Sequence, residues 1–319
     1  MIRFKTLYTC FFMFLMLITC GVQYASAQAP PPVRVPRPSQ KASVMQTIGV
    51  TDLTITYSRP GIKGRMIWGD APATATARVK GDATLDDQNA RLKGEPIVPY
   101  GHVWRTGANE ATQFSVSDDV LVNGQPLKAG TYSLHTIPGR EEWTIIFNSD
   151  AGQWGSFTYD AQKDVLRLKA KPQMIADNQE WLVYSFDPVT DNSAQVNIRW
   201  EKVSVPFTVE VKDVAALTLQ KARAAVAAAK ADDWRTPFQA ANYALQSKNE
   251  ELGAQWLEQS IKIKPTFQNL SAKANMLFSA GKKDEALVIA EQAIQQGKTD
   301  KVDTARFEKR VADMKAGKM

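Results

Sequence analysis

Cysteine is confined to Cys10 and Cys20 and histidine to His102 and His135. Without cysteine beyond position 20, a chain trimmed of its first residues has no thiol, so disulfides, thiolate metal sites and cysteine nucleophiles are excluded. Two histidines with no H-E-x-x-H or H-x-H spacing leave no histidine-rich metal site, and no metal or other cofactor is expected. G-x-S-x-G, P-loop and dinucleotide-binding glycine patterns are also missing, so the common hydrolase and nucleotide signatures do not apply. No block of consecutive basic residues occurs. The formal charge of +6 falls to +4 once Arg3 and Lys5 are taken away. Nucleic acid is therefore not an expected partner.

The one sustained apolar run, Cys10 to Ile18, follows Arg3 and Lys5 and precedes Ala25-Ser26-Ala27. That is the three-part pattern of a secretory signal over residues 1–27, with a mature start near Gln28 and no membrane span after cleavage. The run is short for a bilayer span. Leu17-Ile18-Thr19-Cys20 offers a lipid anchor at Cys20 as the alternative. The expected location is the periplasm or the outside of the cell.

A composition 44% hydrophobic and 23% charged is that of an ordinary folded chain, and its length allows two domains. Residues 28–42, with five prolines, read as an extended linker. Regular structure is expected from about Thr51, where Leu53, Ile55 and Tyr57 alternate with threonines. Asp70 to Gly94 lacks apolar periodicity and reads as an inserted surface loop. Phe114 and Val116 mark another strand, and Val120-Leu121-Val122 running into Asn123-Gly124 is a strong hairpin signal. In the next hairpin, matching apolar faces pairs Leu134 with Ile145, sets His135 beside Thr144 and turns it away from the aromatic cluster. Strands are further expected at residues 165–168, 182–186, 196–200 and 203–211. Many short strands without intervening helices point to an antiparallel β-sandwich over 43–212.

At about Asp213 the composition turns alanine-rich, and helices fill 213–319. Glu258-Gln259-Ser260-Ile261 recurs as Glu291-Gln292-Ala293-Ile294, about 33 residues on, with Gly253 falling on Ala286. With small residues at these positions and Pro265 closing the first unit, the region resembles tetratricopeptide repeats, which implies helical hairpins and a docked protein partner. The expected fold is thus mixed, an all-β domain followed by an all-α domain.

The sandwich region is similar to an exported bacterial family of unknown function, DUF2911. The resemblance is carried by Tyr57-Ser58-Arg59-Pro60, Gly64-Arg65, Trp68-Gly69, Val98 to Gly101, Val103 to Thr112, Ala129 to Leu134, Ile137-Pro138-Gly139, Trp143, Asn148 and Trp154-Gly155. The family implies a β-rich domain, sometimes followed by tetratricopeptide-like helices, and no reaction. The chain departs from it by the insertion that starts at Asp70.

Chemistry is densest from Val103 to Thr112. Arg59, Arg65 and Arg105 would bind a small anion through forked hydrogen bonds if they converged, or else hold loop carbonyls. Asn109, Glu110 and Thr112 would orient a ligand. Trp68, Tyr100, Trp104 and Trp154 would stack on sugar rings, or seal a core. Glu110, with His102 or His135, is the weak catalytic candidate, against salt-bridge and turn roles for the same residues. The reading of first choice is a binding protein for a saccharide or small anion. A Glu110 hydrolase and a purely structural or interaction protein are the alternatives.

Overall fold

A computed structural model describes residues 35–72 and 94–317. The signal pattern, Cys20 and most of the inserted loop lie outside the described residues. Pro38–Met319 forms one compact unit.

Its first part is built from two antiparallel sheets. The larger has six strands: β1 (Gln40–Ile48), β2 (Thr51–Arg59), β5 (Thr112–Val116), β8 (Gly130–Ile137), β9 (Trp143–Asn148) and β10 (Asp164–Ala170), in that spatial order. The smaller has four, in the order β11 (Gln173–Val189), β12 (Ser193–Glu210), β6 (Val120–Val122) and β7 (Gln125–Leu127). Two short strands, β3 (Trp68–Gly69) and β4 (Val98–Pro99), pair in parallel. Ile55, Phe114 and Phe147 of the large sheet and Val196, Phe207 and Val209 of the small one share a single core. Edge-on contacts such as Phe147 to Phe207, 6.1 Å between centroids, join the two inner faces. This is a β-sandwich, and alternation in each strand is what makes it.

Four features differ from the sequence reading. β1 precedes Thr51 and starts within the residues read as linker; its inner side carries only Ala42, Val44, Gln46 and Ile48, too weak an alternation to stand out. The third hairpin pairs Leu134 with Phe147 and His135 with Ile146, two residues from the expected register, which preserves the faces but gives His135 a different neighbour. Residues 196–200 and 203–211 belong to one long strand, β12, which bends at Glu201 with φ 54° and so reads as two. β11, likewise, extends well beyond the apolar stretch 182–186. The Asn123-Gly124 turn forms as expected, both residues at positive φ, joining β6 to β7.

One row across the outer face of the large sheet is polar from edge to edge. Ser43, Thr56, Gln113, Ser133, Asn148 and Asp164 are paired in succession on β1, β2, β5, β8, β9 and β10. This row positions the site described below.

Six α-helices follow: α1 (Val214–Ala228), α2 (Arg235–Gln246), α3 (Glu250–Ile263), α4 (Phe267–Ser279), α5 (Lys283–Thr299) and α6 (Ala305–Lys315). None is long and apolar enough to cross a membrane. Asp213 caps α1 by accepting from Ala216 N, and Lys221 ties that helix to the sandwich by donating to Val50 O and Asp118 Oδ2. Helices α2 with α3 and α4 with α5 form two antiparallel hairpins. Thr266 and Asn269 make a reciprocal cap at the start of α4, and the buried Asn269 amide also donates to Ser260 Oγ and Lys264 O. Gly253 is where α3 meets α2, since a Cβ there would stand 2.6 Å from Leu245 Cγ and 3.3 Å from Leu245 N. Gly253→Ala should therefore destabilise the helical part by about 1–2 kcal/mol, overpacking outweighing the gain in helix propensity. Thermal melting followed at the helical circular-dichroism band checks this; an unchanged or raised midpoint would contradict it.

Candidate functional site

The run Val103 to Thr112 folds into a closed loop at one end of the sandwich. Trp104 exchanges both main-chain hydrogen bonds with Thr136 of β8, at 2.8 and 2.9 Å, and Thr112 N donates to Arg105 O at 3.2 Å. Between them Thr106 adopts φ 49° and Asn109 φ 59°. Asparagine tolerates that region; a β-branched threonine is strained there and persists only where its surroundings fix it. They do: Thr106 Oγ1 lies 3.2 Å from Trp104 O and 3.1 Å from Thr136 Oγ1, while its carbonyl accepts from the hydroxyls of Thr112 and Tyr184, each at 2.9 Å. Gly107 is required by packing, for a Cβ would meet Thr112 Oγ1 at 2.9 Å and Ser58 O at 3.3 Å.

This loop is zipped to a second one, residues 149–163. Ala111 N donates to Gln153 O and Gly155 N to Asn109 O, with Glu110 and Trp154 directly opposed. Arg105 Nη1 donates to Asn109 O at 2.8 Å, and its guanidinium stands 5.7 Å from the centre of the Phe157 ring. Trp154 is 50% exposed and Phe157 41%, and they are the aromatic members of the exposed large hydrophobics among the described residues. Opposed residues of an antiparallel pair project to the same side, so the Glu110 carboxyl and the Trp154 indole are neighbours. Glu110 also borders a cavity of about 50 Å³, together with Gln113, Thr56, Ser58 and Lys41.

The second loop is anchored on the polar row. His135 has no exposed surface; its Nδ1 is 3.2 Å from Ser156 Oγ and its Nε2 3.1 Å from Ser133 Oγ. Burial pushes its pKa down to about 4, with Asp164 opposing and Arg105 adding to the shift. The imidazole is therefore neutral, and hydroxyls suit either tautomer. The Tyr159 ring packs 5.2 Å from it, and its hydroxyl donates to Asp164 Oδ2 at 2.7 Å. Burial and that carboxylate raise the Tyr159 pKa well above its ordinary value. Asn148 Nδ2 donates to Asp160 O and Asp164 Oδ1, and Gln113 Nε2 to Ala151 O.

The residues singled out in the sequence thus divide. Arg105, Asn109 and Glu110 come together, joined by Trp154 and Phe157. Arg59 and Arg65 attach elsewhere: Arg59 Nε donates to Leu182 O, and Arg65 to Gly61 O and Ile62 O. Thr112 is buried, its hydroxyl turned onto Thr106 O. Trp104 belongs to the core, packed among Trp68, Trp143 and Trp200 at centroid distances of 5.7, 6.4 and 5.8 Å; it is 4% exposed and offers no ring face to a ligand. Tyr100 lies under the Arg140 guanidinium, 5.0 Å away. His102, read as a solvated turn or proton-transfer residue, is 9% exposed. His135 does lie on the face opposite the core, but the second loop covers it, so it meets no substrate in this conformation. Phe157, Lys41 and Gln113 escaped the sequence reading; an aromatic two residues past the Trp154-Gly155 pair was the only signal. Among the described residues, no three His, Cys, Asp or Glu side chains gather as metal ligands.

The model of DUF2911, described as a protein of unknown function, matches residues 39–209, more than half of the 319. The chain belongs to the DUF2911 family. The DUF2911 match begins at Ser39, whose carbonyl accepts from Asn109 Nδ2 at 3.0 Å, takes in both zipped loops, and ends within β12; the six helices lie outside it. No curated protein and no solved structure matches the chain significantly.

Proposed function

We propose that this protein is an exported, envelope-associated binding protein whose sandwich takes a saccharide on the ledge of Trp154 and Phe157. Arg105, Asn109 and Glu110 frame that ledge. The observation that carries the reading is the pair of half-exposed aromatic rings on two interlocked loops, beside a carboxylate and a guanidinium. Sugar rings present apolar faces to flat aromatics and hydroxyls to polar groups, and binding sites combine a few such elements. A strained Thr106 in the same loop fits a preorganised site. A small anion, the other ligand considered, is less well served, because Arg59 and Arg65 donate to main-chain carbonyls away from Arg105. Hydrolysis by Glu110 would need a second carboxylate within several ångströms, and among the described residues Glu110 is the one carboxylate bounding its cavity.

For the helical part the proposal is a short tetratricopeptide-like stack that docks a protein. Gly253 and Ser260 of α3 correspond to Ala286 and Ala293 of α5, and a groove of about 740 Å³ bounded by Ile261, Leu270, Val288 and Ile294 is open to a partner. Export rests on the N-terminal signal pattern, with lipidation at Cys20 as the membrane-attached variant.

Screening a panel of neutral and charged glycans by thermal shift tests the ledge, since a ligand of the folded state raises its midpoint. Trp154→Ala should melt within roughly 2 °C of the parent, as surface substitutions do, and should lose the ligand-induced shift. A shift that persists in Trp154→Ala would move the site elsewhere.

A further inference from the structure

An exposed sheet edge offers its main-chain donors and acceptors to any other strand, and folded proteins blunt such edges with bulges, proline, charge or brevity. The two sheets of the sandwich have four edges, formed by β10, β11, β7 and β1. Three are blunted. β10 shifts register between Asp164 and Leu166 and turns Arg167 and Lys169 outwards. β11 shifts register three times, and β7 is three residues long with Pro126 at its middle. β1 has none of these devices. It pairs with β2 over nine consecutive residues without a shift, contains no proline and carries one charge, Lys41, near its start.

Among the described residues, the main chain of β1 bonds to β2 and to no other strand. Gly49 and Val50 form a two-residue turn, Gly49 at φ 60°, between the paired Ile48 and Thr51. Such a turn is closed by hydrogen bonds within its flanking pair. Ile48 and every second residue before it therefore bond to β2, and Lys41, Ser43, Met45 and Thr47 turn their N–H and C=O groups to the open side. Gln46 Nε2 donates to Thr47 O there, and a carbonyl can accept a second bond. Ala42 and Val44 point towards the core yet are only half-buried, so the flank of the sandwich is uncovered at this edge.

We infer that β1 is an interface for a second copy of this chain, the two β1 strands pairing antiparallel about Val44 and joining their large sheets edge to edge. Such a contact is closed and isologous. It sets Ser43 against Met45, Val44 against Val44 and Lys41 against Thr47, so no like charges meet. Thr47 Oγ1 donates to Asp52 Oδ1 at 2.8 Å within each chain, and the long Lys41 side chain reaches that carboxylate in the other copy. Within one chain Lys41 and Asp52 stand at opposite ends of the β1–β2 pair, on the order of 20 Å apart at ~3.4 Å per residue. Only the pairing of two copies brings these charges together, and it does so twice, which favours a second copy over an unrelated strand. The interface goes beyond the saccharide reading and does not depend on it.

Sedimentation of the full chain over a concentration series tests this. The parent should show a reversible monomer–dimer equilibrium. Ser43→Lys with Met45→Lys places like charges opposite each other twice and should weaken the dimer at least about tenfold. Both positions are exposed, so the double variant should fold, and thermal melting checks that it does. Lys41→Asp should weaken the dimer as well, and Lys41→Asp combined with Asp52→Lys should restore it, because the exchange rebuilds both charge pairs. A parent that stays monomeric throughout would overturn the interface, as would a dimer indifferent to Ser43→Lys with Met45→Lys. A combined exchange no tighter than Lys41→Asp alone would overturn the pairing about Val44 and the inference with it.

Discussion

Trp104→Ala should lower the stability of the sandwich by about 3–5 kcal/mol, the range for truncating a large buried aromatic side chain. The indole is packed among three other tryptophans and its Nε1 donates to Gly107 O at 3.1 Å. Truncation leaves a cavity at the sandwich end and an unpaired carbonyl in the loop that carries Arg105, Asn109 and Glu110. Urea unfolding of the variant beside the parent measures the difference. A change below about 1 kcal/mol, the usual scale of a surface substitution, would mean that the tryptophan cluster does not hold this end of the molecule.

The second large effect is a loss of stability in acid that belongs to His135. Its pKa falls from 6.5 in the unfolded chain to about 4 in the folded one. Between those values the unfolded chain takes up a proton that the folded chain refuses. Its contribution is complete above about pH 6.5, shrinks as the pH falls, and is gone below about pH 4, a total of about 3 kcal/mol. Carboxylates titrate in the lower part of the same window, so the comparison is with His135→Gln, which keeps hydrogen-bonding capacity and cannot ionise. The parent should lose about 3 kcal/mol more than His135→Gln between about pH 7 and pH 4. Equal losses would show that the imidazole is charged, or solvated, in the folded state. Ser156, one of its two partners, lies in the loop that carries Trp154 and Phe157, so the same protonation bears on the ledge.

Why some of this was legible in the sequence and some was not follows from the range of the forces involved. Alternation within a strand is local, so β2, β5, β6 and β9 stand out, and Asn123-Gly124 announces its turn because positive φ is a property of those two residues. The recurrence of Ser260 and Gly253 at Ala293 and Ala286 is equally visible, since close helix approach demands small side chains at fixed spacing. Register is not local. Leu134 finds Phe147 rather than Ile145 because the whole hairpin must fit β5 and β10 as well. The polar row from Ser43 to Asp164 is assembled from six strands, and no single strand betrays it. Burial of Trp104 and exposure of Trp154 depend on which of two tryptophan-bearing loops ends at the core; nearby polar residues in the sequence look alike for both. The three arginines read as one set because all belong to the motifs that carry the family resemblance, yet Arg59 serves a carbonyl of β11 and Arg65 those of the Gly61-Ile62 turn, while Arg105 serves the loop of Asn109. His135 was legible as outward-facing but not as covered, because the covering loop lies beyond β9.

The most direct measurement on the central claim is calorimetric titration of the full chain with neutral oligosaccharides, repeated on Trp154→Ala and Phe157→Ala. Both aromatic variants should fold with the parent's melting midpoint and bind at least about tenfold more weakly, the loss of stacking on one exposed ring. Parent and variants binding alike, or a parent that binds no saccharide while both variants unfold early, would contradict a ligand ledge and leave the zipped loops as scaffolding.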